Sequence, residues 1–292
     1  MPNIAIIVPG AIGGIVAAWL AQSAANALSL CARSPLPGLR IDTPRGPIAA
    51  SPTVWLSPDQ AAPVDWVMIA TKAYDVTGAA TWLPKLIGAG TRIAILQNGV
   101  EHIERFAPYA DPATLLPVVV DIPAERTGPG QVWQRREGTL VVADTSSGRD
   151  FVALFAGAGI DVSTDPDMKS RVWRKLAINC AGAVSAVTLR PAGVSHRPDI
   201  ADIMREMVRE CLAVARAEGA TLPDSLPDDV VAGYQESPPD SVNSLHADRA
   251  AGRPMEVDAR NGVIVRMGAR HGIAAPVNGM IVALLKAAAG VT

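Results

Sequence analysis

Basic residues are missing from this 292-residue chain until Arg33, and acidic residues until Asp42. The first gap removes the positive leader segment that a secretory signal needs. It leaves an uncharged run over residues 4–21, close in length to a membrane span, but Pro9, Gly10, Gly13 and Gly14 interrupt it. A cytoplasmic location with no membrane partner is the simpler expectation. Cysteine is scarce as well. Cys31, Cys180 and Cys211 are an odd number at spacings that suit neither a disulfide framework nor a zinc site, so they are expected to be reduced and inert. The four histidines, His102, His196, His246 and His271, lie far apart without ligand spacing, and no metal is expected. His246, two residues from Ser244, is expected at the surface. An excess of one charge is also absent. With 26 basic against 28 acidic residues and a net charge of −2, the chain has no basic stripe for nucleic acid.

What is present begins with Ile4-Ala-Ile-Ile-Val-Pro-Gly10-Ala11-Ile12-Gly13, a buried strand running into a glycine turn and a helix. Gly10 lets a backbone approach a pyrophosphate, Gly13 lets the helix pack closely, and the N–H groups of this turn face the phosphates. The G-x-G-x-x-G pattern is incomplete, because Val8 stands where its first glycine makes the tight turn. A second strand, Ala27-Leu-Ser-Leu-Cys-Ala32, ends at Arg33-Ser34. That is where a dinucleotide's ribose lies, and an arginine there suits a 2′-phosphate whereas an acidic residue suits a free hydroxyl. NADPH is therefore expected, with Arg33 as clamp and Ser34 as donor.

Apolar runs at residues 66–71, 92–96, 115–120 and 140–143, with helix-compatible intervals, suit strands buried on both faces. An antiparallel meander is expected at the sheet's far edge, from residues 130–133 and 138–141. Beyond about residue 167 the pattern turns helical, over 168–189, 200–218, 242–251, 259–271 and 278–289. The expected class is α/β: an N-terminal Rossmann-type doubly wound sheet with an all-helical C-terminal domain. The expected domains are residues 1–165, binding NADP, and 166–292, binding substrate, with a cleft between them as the active site. The apolar helices are compatible with a homodimer.

Two polar constellations stand on these helices. Lys175 and Asn179 share one helical face amid Trp173, Leu176, Ala177, Ile178 and Cys180, a setting that partly desolvates the ammonium and suits it to proton transfer. Ser244 and Asp248 share another face, and Glu256 follows after a Gly252-Arg-Pro254 break. A carboxylate there can hold Lys175 charged, and Ser244 can bind a substrate carboxylate.

With Thr71-Lys72-Ala-Tyr-Asp75, Gln97-Asn98-Gly99, Trp173-Arg-Lys175-Leu-Ala-Ile-Asn179, Asn261-Gly262 and Gly272-Ile-Ala-Ala-Pro276-Val-Asn278 in this order, the chain resembles the ketopantoate reductase family over nearly its whole length. The resemblance implies NADPH-dependent reduction of a small 2-keto acid, ketopantoate first, in pantothenate synthesis. It implies that Lys175 protonates the ketone oxygen as hydride arrives from the nicotinamide, and that Glu256 orients Lys175 and adjoins the cofactor. Asn98 is then near nicotinamide and substrate, Asn179, Ser244 and Asp248 bind substrate, and Lys72 lies by the diphosphate or the cleft mouth. Ala183 stands where the family has a second asparagine, which keeps another 2-keto acid or an imine in view. Asn243 replaces a small hydroxyl residue before Ser244. A catalytically idle NADP-binding sensor is the alternative from another class, and the retained Lys175, Asn179, Ser244 and Glu256 speak against it.

Overall fold

The computed structural model describes residues 1–8, 10–23 and 25–290, so Pro9 of the glycine turn lies outside the described residues. The chain divides into two compact units, residues 1–97 with 101–168, and residues 98–100 with 169 to the C-terminus.

The first unit holds an eight-stranded sheet in the order Asp161–Asp165, Thr139–Ala143, Leu115–Asp121, Arg92–Ile95, Trp66–Ile69, Asn3–Ile7, Ala27–Cys31, Thr53–Trp55. All neighbours are parallel except Leu115–Asp121 and Thr139–Ala143. Chain order reverses at Asn3–Ile7, which pairs with Ala27–Cys31 on one side and Trp66–Ile69 on the other. This is the switch point of a doubly wound sheet, and the glycine turn leaves from it. The expected class is borne out.

The edge meander is not. Thr139–Ala143 extends the main sheet, whereas Gln131–Gln134 joins a second sheet in the order Gly46–Ala50, Leu39–Thr43, Gln131–Gln134, Ala124–Gly128. Gln131–Gln134 forms a hairpin with Ala124–Gly128 and pairs in parallel with Leu39–Thr43. Short turn spacing suggested the wrong partner, because a parallel pairing across so much sequence leaves no local signal.

This second sheet accounts for the uncharged N-terminal run. In the helix Ala11–Leu20 every residue from Gly13 onward is buried. A Cβ on Gly13 would sit 2.9 Å from the Ala70 Cβ on the main-sheet side, and one on Gly14 3.3 Å from Val132 of the second sheet. A helix with sheets on two faces must be apolar all round. Trp19 closes its end by donating its indole N–H to Gln134 Oε1, 3.2 Å away in the interior. Among the described residues no helix is long and apolar enough to cross a membrane.

The second unit is helical: Met168–Ala181, Ala183–Thr188, Pro198–Ala217, Leu226–Glu236, Ser244–Ala250, Val263–Arg270 and Pro276–Ala288. The expected single helix over 168–189 is broken at Gly182, where a Cβ would lie 2.2 Å from the Tyr234 hydroxyl oxygen and 2.9 Å from Asn243 Nδ2. Tyr234 donates instead to the Ile178 carbonyl (2.9 Å), and Asn243 Nδ2 to the Gly182 carbonyl (2.8 Å). Glu210, buried, accepts from the backbone N–H groups of Val277 (2.8 Å) and Asn278 (2.9 Å) at the start of the last helix. Satisfying those otherwise unpaired donors is what makes a buried carboxylate tolerable there. The three cysteines are free and buried; burial pushes the Cys31 thiol up to about 12.

Val8 occupies the first fingerprint position with φ +53°, the left-handed region, which a β-branched residue adopts at a cost of about 1–2 kcal/mol. Val8→Gly is therefore expected to leave stability unchanged or to raise it by up to about 1 kcal/mol in urea unfolding, the relief being offset in part by glycine's entropy. A loss above about 1 kcal/mol would contradict the strained turn.

Candidate active site

Three loops at the carboxyl ends of strands in the first unit carry the cofactor candidates. Val8 N–H donates to the Cys31 carbonyl at 2.8 Å, tying the glycine turn to the end of the second strand. Gly10 caps the helix Ala11–Leu20, and a Cβ on it would meet nothing within 4 Å. Gly10 therefore faces open space while Gly13 is pressed against the sheet, the division of labour a pyrophosphate turn requires. Ala11 and Ile12 are half-buried, and Arg33 and Ser34 are exposed just beyond Ala27–Cys31. Arg33 Nη1 stands 3.9 Å from Asp75 Oδ2, with its side chain 78% exposed.

The loop bearing Lys72 is held by Gln97. Gln97 Nε2 donates to Thr71 Oγ1 (2.7 Å) and to the Lys72 carbonyl (3.1 Å). His102 Nε2 meets the Gln97 carbonyl at 2.8 Å, and since a carbonyl only accepts, that nitrogen carries the proton. His102 is buried, which holds its pKa below the ordinary value; the Gln97 bond and Glu101 act against this, and Arg105 with it. Sequence reading dismissed this histidine with the other three for want of metal spacing. His246 was expected at the surface and is buried, because Asn243 Oδ1 caps its backbone N–H (3.0 Å) and turns that face inward. Asn243, where a hydroxyl residue was expected, thus has two structural tasks, this cap and the bond to Gly182.

In the second unit Asn98 is the hub. Its Nδ2 donates to Glu256 Oε2 at 2.9 Å, and its Oδ1 accepts from Asn179 Nδ2 at 3.4 Å. Glu256 is buried; Lys175 and Asn179 are half-buried one turn apart on Met168–Ala181. Gly99 makes the approach possible: its φ of +114° disfavours other residues, and a Cβ there would lie 3.3 Å from the Ala259 carbonyl oxygen. Immediately after Glu256 the chain takes a π-helical turn, Asp258–Gly262. Buried Asn261 anchors it, donating to the Cys180 carbonyl (3.2 Å) and to Asn278 Oδ1 (2.8 Å). The polar pair Asn261 and Asn278 is therefore a strut that holds the helix of Lys175 and Asn179 against the turn of Glu256.

Ser244 and Asp248 part company. Ser244 is exposed and its Oγ accepts from Arg260 Nη2 at 2.7 Å. Asp248 is buried and paired with Arg253 Nε at 2.9 Å, a structural tie across the Gly252 turn. Arg260 was missed by sequence reading, because beside Asp258 and Asn261 it reads as one more polar residue of an exposed turn. Among the described residues no group of His, Cys, Asp and Glu is arranged to hold a metal.

The family model described as Ketopantoate reductase PanE/ApbA matches residues 4–147, and the one described as Ketopantoate reductase PanE/ApbA C terminal matches residues 167–289. The chain belongs to the ketopantoate reductase family. It is 55% identical over 289 residues to a 2-dehydropantoate 2-reductase of Caulobacter vibrioides, covering 99% of this chain and 100% of that one. Among solved structures it is similar to a PanE/ApbA family ketopantoate reductase from Ralstonia eutropha (TM-score 0.90, 32% identity, 99% of this chain and 98% of that one). It is likewise similar to a dimeric ketopantoate reductase from Staphylococcus aureus (TM-score 0.89, 26% identity, 99% of each chain).

One pH dependence follows from the loop that carries Lys72. The unfolded chain protonates His102 near pH 6.5, whereas the native state resists it, so stability drains away as pH falls below about 6.5. His102→Gln, which retains a donor for the Gln97 carbonyl, should reduce the loss between pH 7.5 and 5.5 in urea melts by up to about 1.4 kcal/mol. Equal losses in the two proteins would remove His102 from the account.

Proposed function

We propose that this chain reduces ketopantoate to pantoate with NADPH, as a cytoplasmic enzyme of pantothenate synthesis acting as a homodimer. The observation that carries the reading is the run of side chains Glu256, Asn98 and Asn179, with Lys175 one turn along the same helix face. NADPH, when bound, supplies a hydride to the ketone carbon. The residues present fit it: a glycine turn open at Gly10, Arg33 and Ser34 exposed at the end of the second strand, and Lys72 on the neighbouring loop. An exposed guanidinium suits a 2′-phosphate, and no acidic residue lies between Arg33 and Arg40 to select a free ribose hydroxyl.

The substrate's C=O becomes C–H and C–O⁻ as the hydride adds, and the Lys175 ammonium gives its proton to that oxygen. Negative charge grows on the oxygen only in the transition state, so a cation held there stabilises the transition state more than the ground state. Glu256, through its bond from Asn98, fixes the amide that faces the substrate. Asn179 then offers its remaining hydrogen-bonding capacity to the substrate hydroxyl.

A second reading, a different 2-keto acid, is favoured by Ala183, which is fully buried and brings no hydrogen bond where the family has an asparagine. Oxidation of NADPH by ketopantoate, run against NADH and a panel of 2-keto acids, tests both readings. Ketopantoate with NADPH should be the fastest pair, and Lys175→Ala should lower kcat by about 10²–10⁴-fold. Faster turnover of another keto acid would favour the second reading, and near-normal turnover by Lys175→Ala would remove that residue as the acid.

A further inference from the structure

Along the chain the acidic residue nearest Arg33 is Asp42, but the fold brings another to it from a neighbouring loop. Asp75 lies between the strand Trp66–Ile69 and the short helix Val76–Ala80, and its Oδ2 stands 3.9 Å from Arg33 Nη1 within the same unit. The loop holds that carboxylate in place. Asp75 N–H donates to the Lys72 carbonyl (2.9 Å), and the Asp75 carbonyl accepts from Ala79 N–H (3.2 Å). Gln97 Nε2 and Arg105 Nη1 donate to the carbonyls of Lys72 (3.1 Å) and Ala73 (3.0 Å), which ties the loop down on either side. Gly78 makes room for the acid, since a Cβ there would collide with Asp75 Oδ1. The carboxylate nevertheless has no structural task in the loop. It does not cap the helix it precedes, and 3.9 Å is beyond a hydrogen bond to Arg33. With its side chain 28% exposed, it is a positioned acceptor beside a guanidinium, at the strand ends where a dinucleotide's ribose lies.

We propose that Arg33 and Asp75 read the ribose 2′ position together, Arg33 taking the 2′-phosphate of NADPH and Asp75 accepting the 2′-hydroxyl of NADH, so that Asp75 is a specificity-determining residue that narrows the preference for NADPH. The proposal rests on the reading that the glycine turn holds a nicotinamide dinucleotide with its ribose beside Arg33. A carboxylate so placed acts on NADPH in two opposed ways: it steadies the guanidinium, and it repels the phosphate. An exposed ion pair at this distance steadies a side chain weakly, whereas a phosphate monoester brings about two negative charges. Repulsion therefore wins. Toward NADH the same carboxylate gains a charge-assisted hydrogen bond from the hydroxyl, so both effects move the selectivity in one direction.

Fluorescence titration of NADPH and NADH into wild type, Asp75→Asn and Asp75→Ala, without keto acid, measures the dissociation constants; initial rates with ketopantoate repeat the comparison in turnover. Both variants should bind NADPH about 3–10-fold more tightly, a gain that added salt reduces. NADH should bind about 3-fold more weakly to Asp75→Asn, whose amide oxygen still accepts, and about 10-fold more weakly to Asp75→Ala. An unchanged ratio of the two constants in both variants would overturn the proposal. So would weaker NADPH binding, which would make Asp75 an anchor for Arg33, or equal weakening of both dinucleotides, which would leave it a structural role alone. If wild type binds both dinucleotides but leaves ketopantoate unreduced, the proposed activity fails and the ratio of constants still decides the role of Asp75. If wild type binds neither, the cofactor reading fails and the role of Asp75 falls with it.

Discussion

The bond from Asn98 to buried Glu256 is the constraint on which the candidate site depends. A carboxylate 4% exposed must be paired to be tolerated, and its partner here is a side chain from a three-residue segment, 98–100, remote in sequence from the helices around it. Three features make that meeting possible. Gly99 takes a backbone conformation that a side chain would resist and lets the segment lie against Ala259. The π-helical turn after Glu256 widens the helix at the point of contact. Asn261, Asn278 and Glu210 then lock that turn to the helix of Lys175 through a chain of buried hydrogen bonds. Each of these polar groups is expensive to bury alone and stabilising when satisfied, so the network specifies one arrangement.

In the first unit the governing constraint is the helix that follows the first strand. Sheets press on two of its faces, which explains an uncharged sequence without any membrane, and the close approach requires glycine at position 13. The turn that leads into it departs from the usual pattern at Val8, yet keeps the left-handed backbone that glycine would have supplied. The chain thus preserves the shape of the turn at some cost in strain, and strain of this kind persists only where the surroundings hold it in place.

The parallel strands and the glycine turn were legible because strands buried on both faces read as unbroken apolar runs. Lys175 and Asn179 were legible as polar residues in an apolar helix, Glu256 by its place after the Gly252-Arg-Pro254 break, and Asn98 through the family pattern. The second sheet was not, since Leu39–Thr43 finds its parallel partner Gln131–Gln134 far along the chain and the strands are short. The break at Gly182 was hidden by an apolar periodicity that continues across it, and is explained only by the hydroxyl of Tyr234 and the amide of Asn243 filling the space of a side chain. Arg260 looked like any helix-surface cation, because burial is a property of the packed turn and not of the residue. Asp248 shows the converse: its spacing from Ser244 suggested a shared exposure, but Asp248 is buried and pairs with Arg253 while Ser244 is exposed.

We propose that Glu256 acts through Asn98, and a double-mutant cycle on Asn98→Ala and Glu256→Gln, read as kcat/KM for ketopantoate reduction, measures that coupling. Strong non-additivity is expected, a coupling of about 1–3 kcal/mol, because removing either partner already forfeits the bond they share. Effects that add to within about 0.3 kcal/mol would contradict it and would make Glu256 and Asn98 independent contributors to the site.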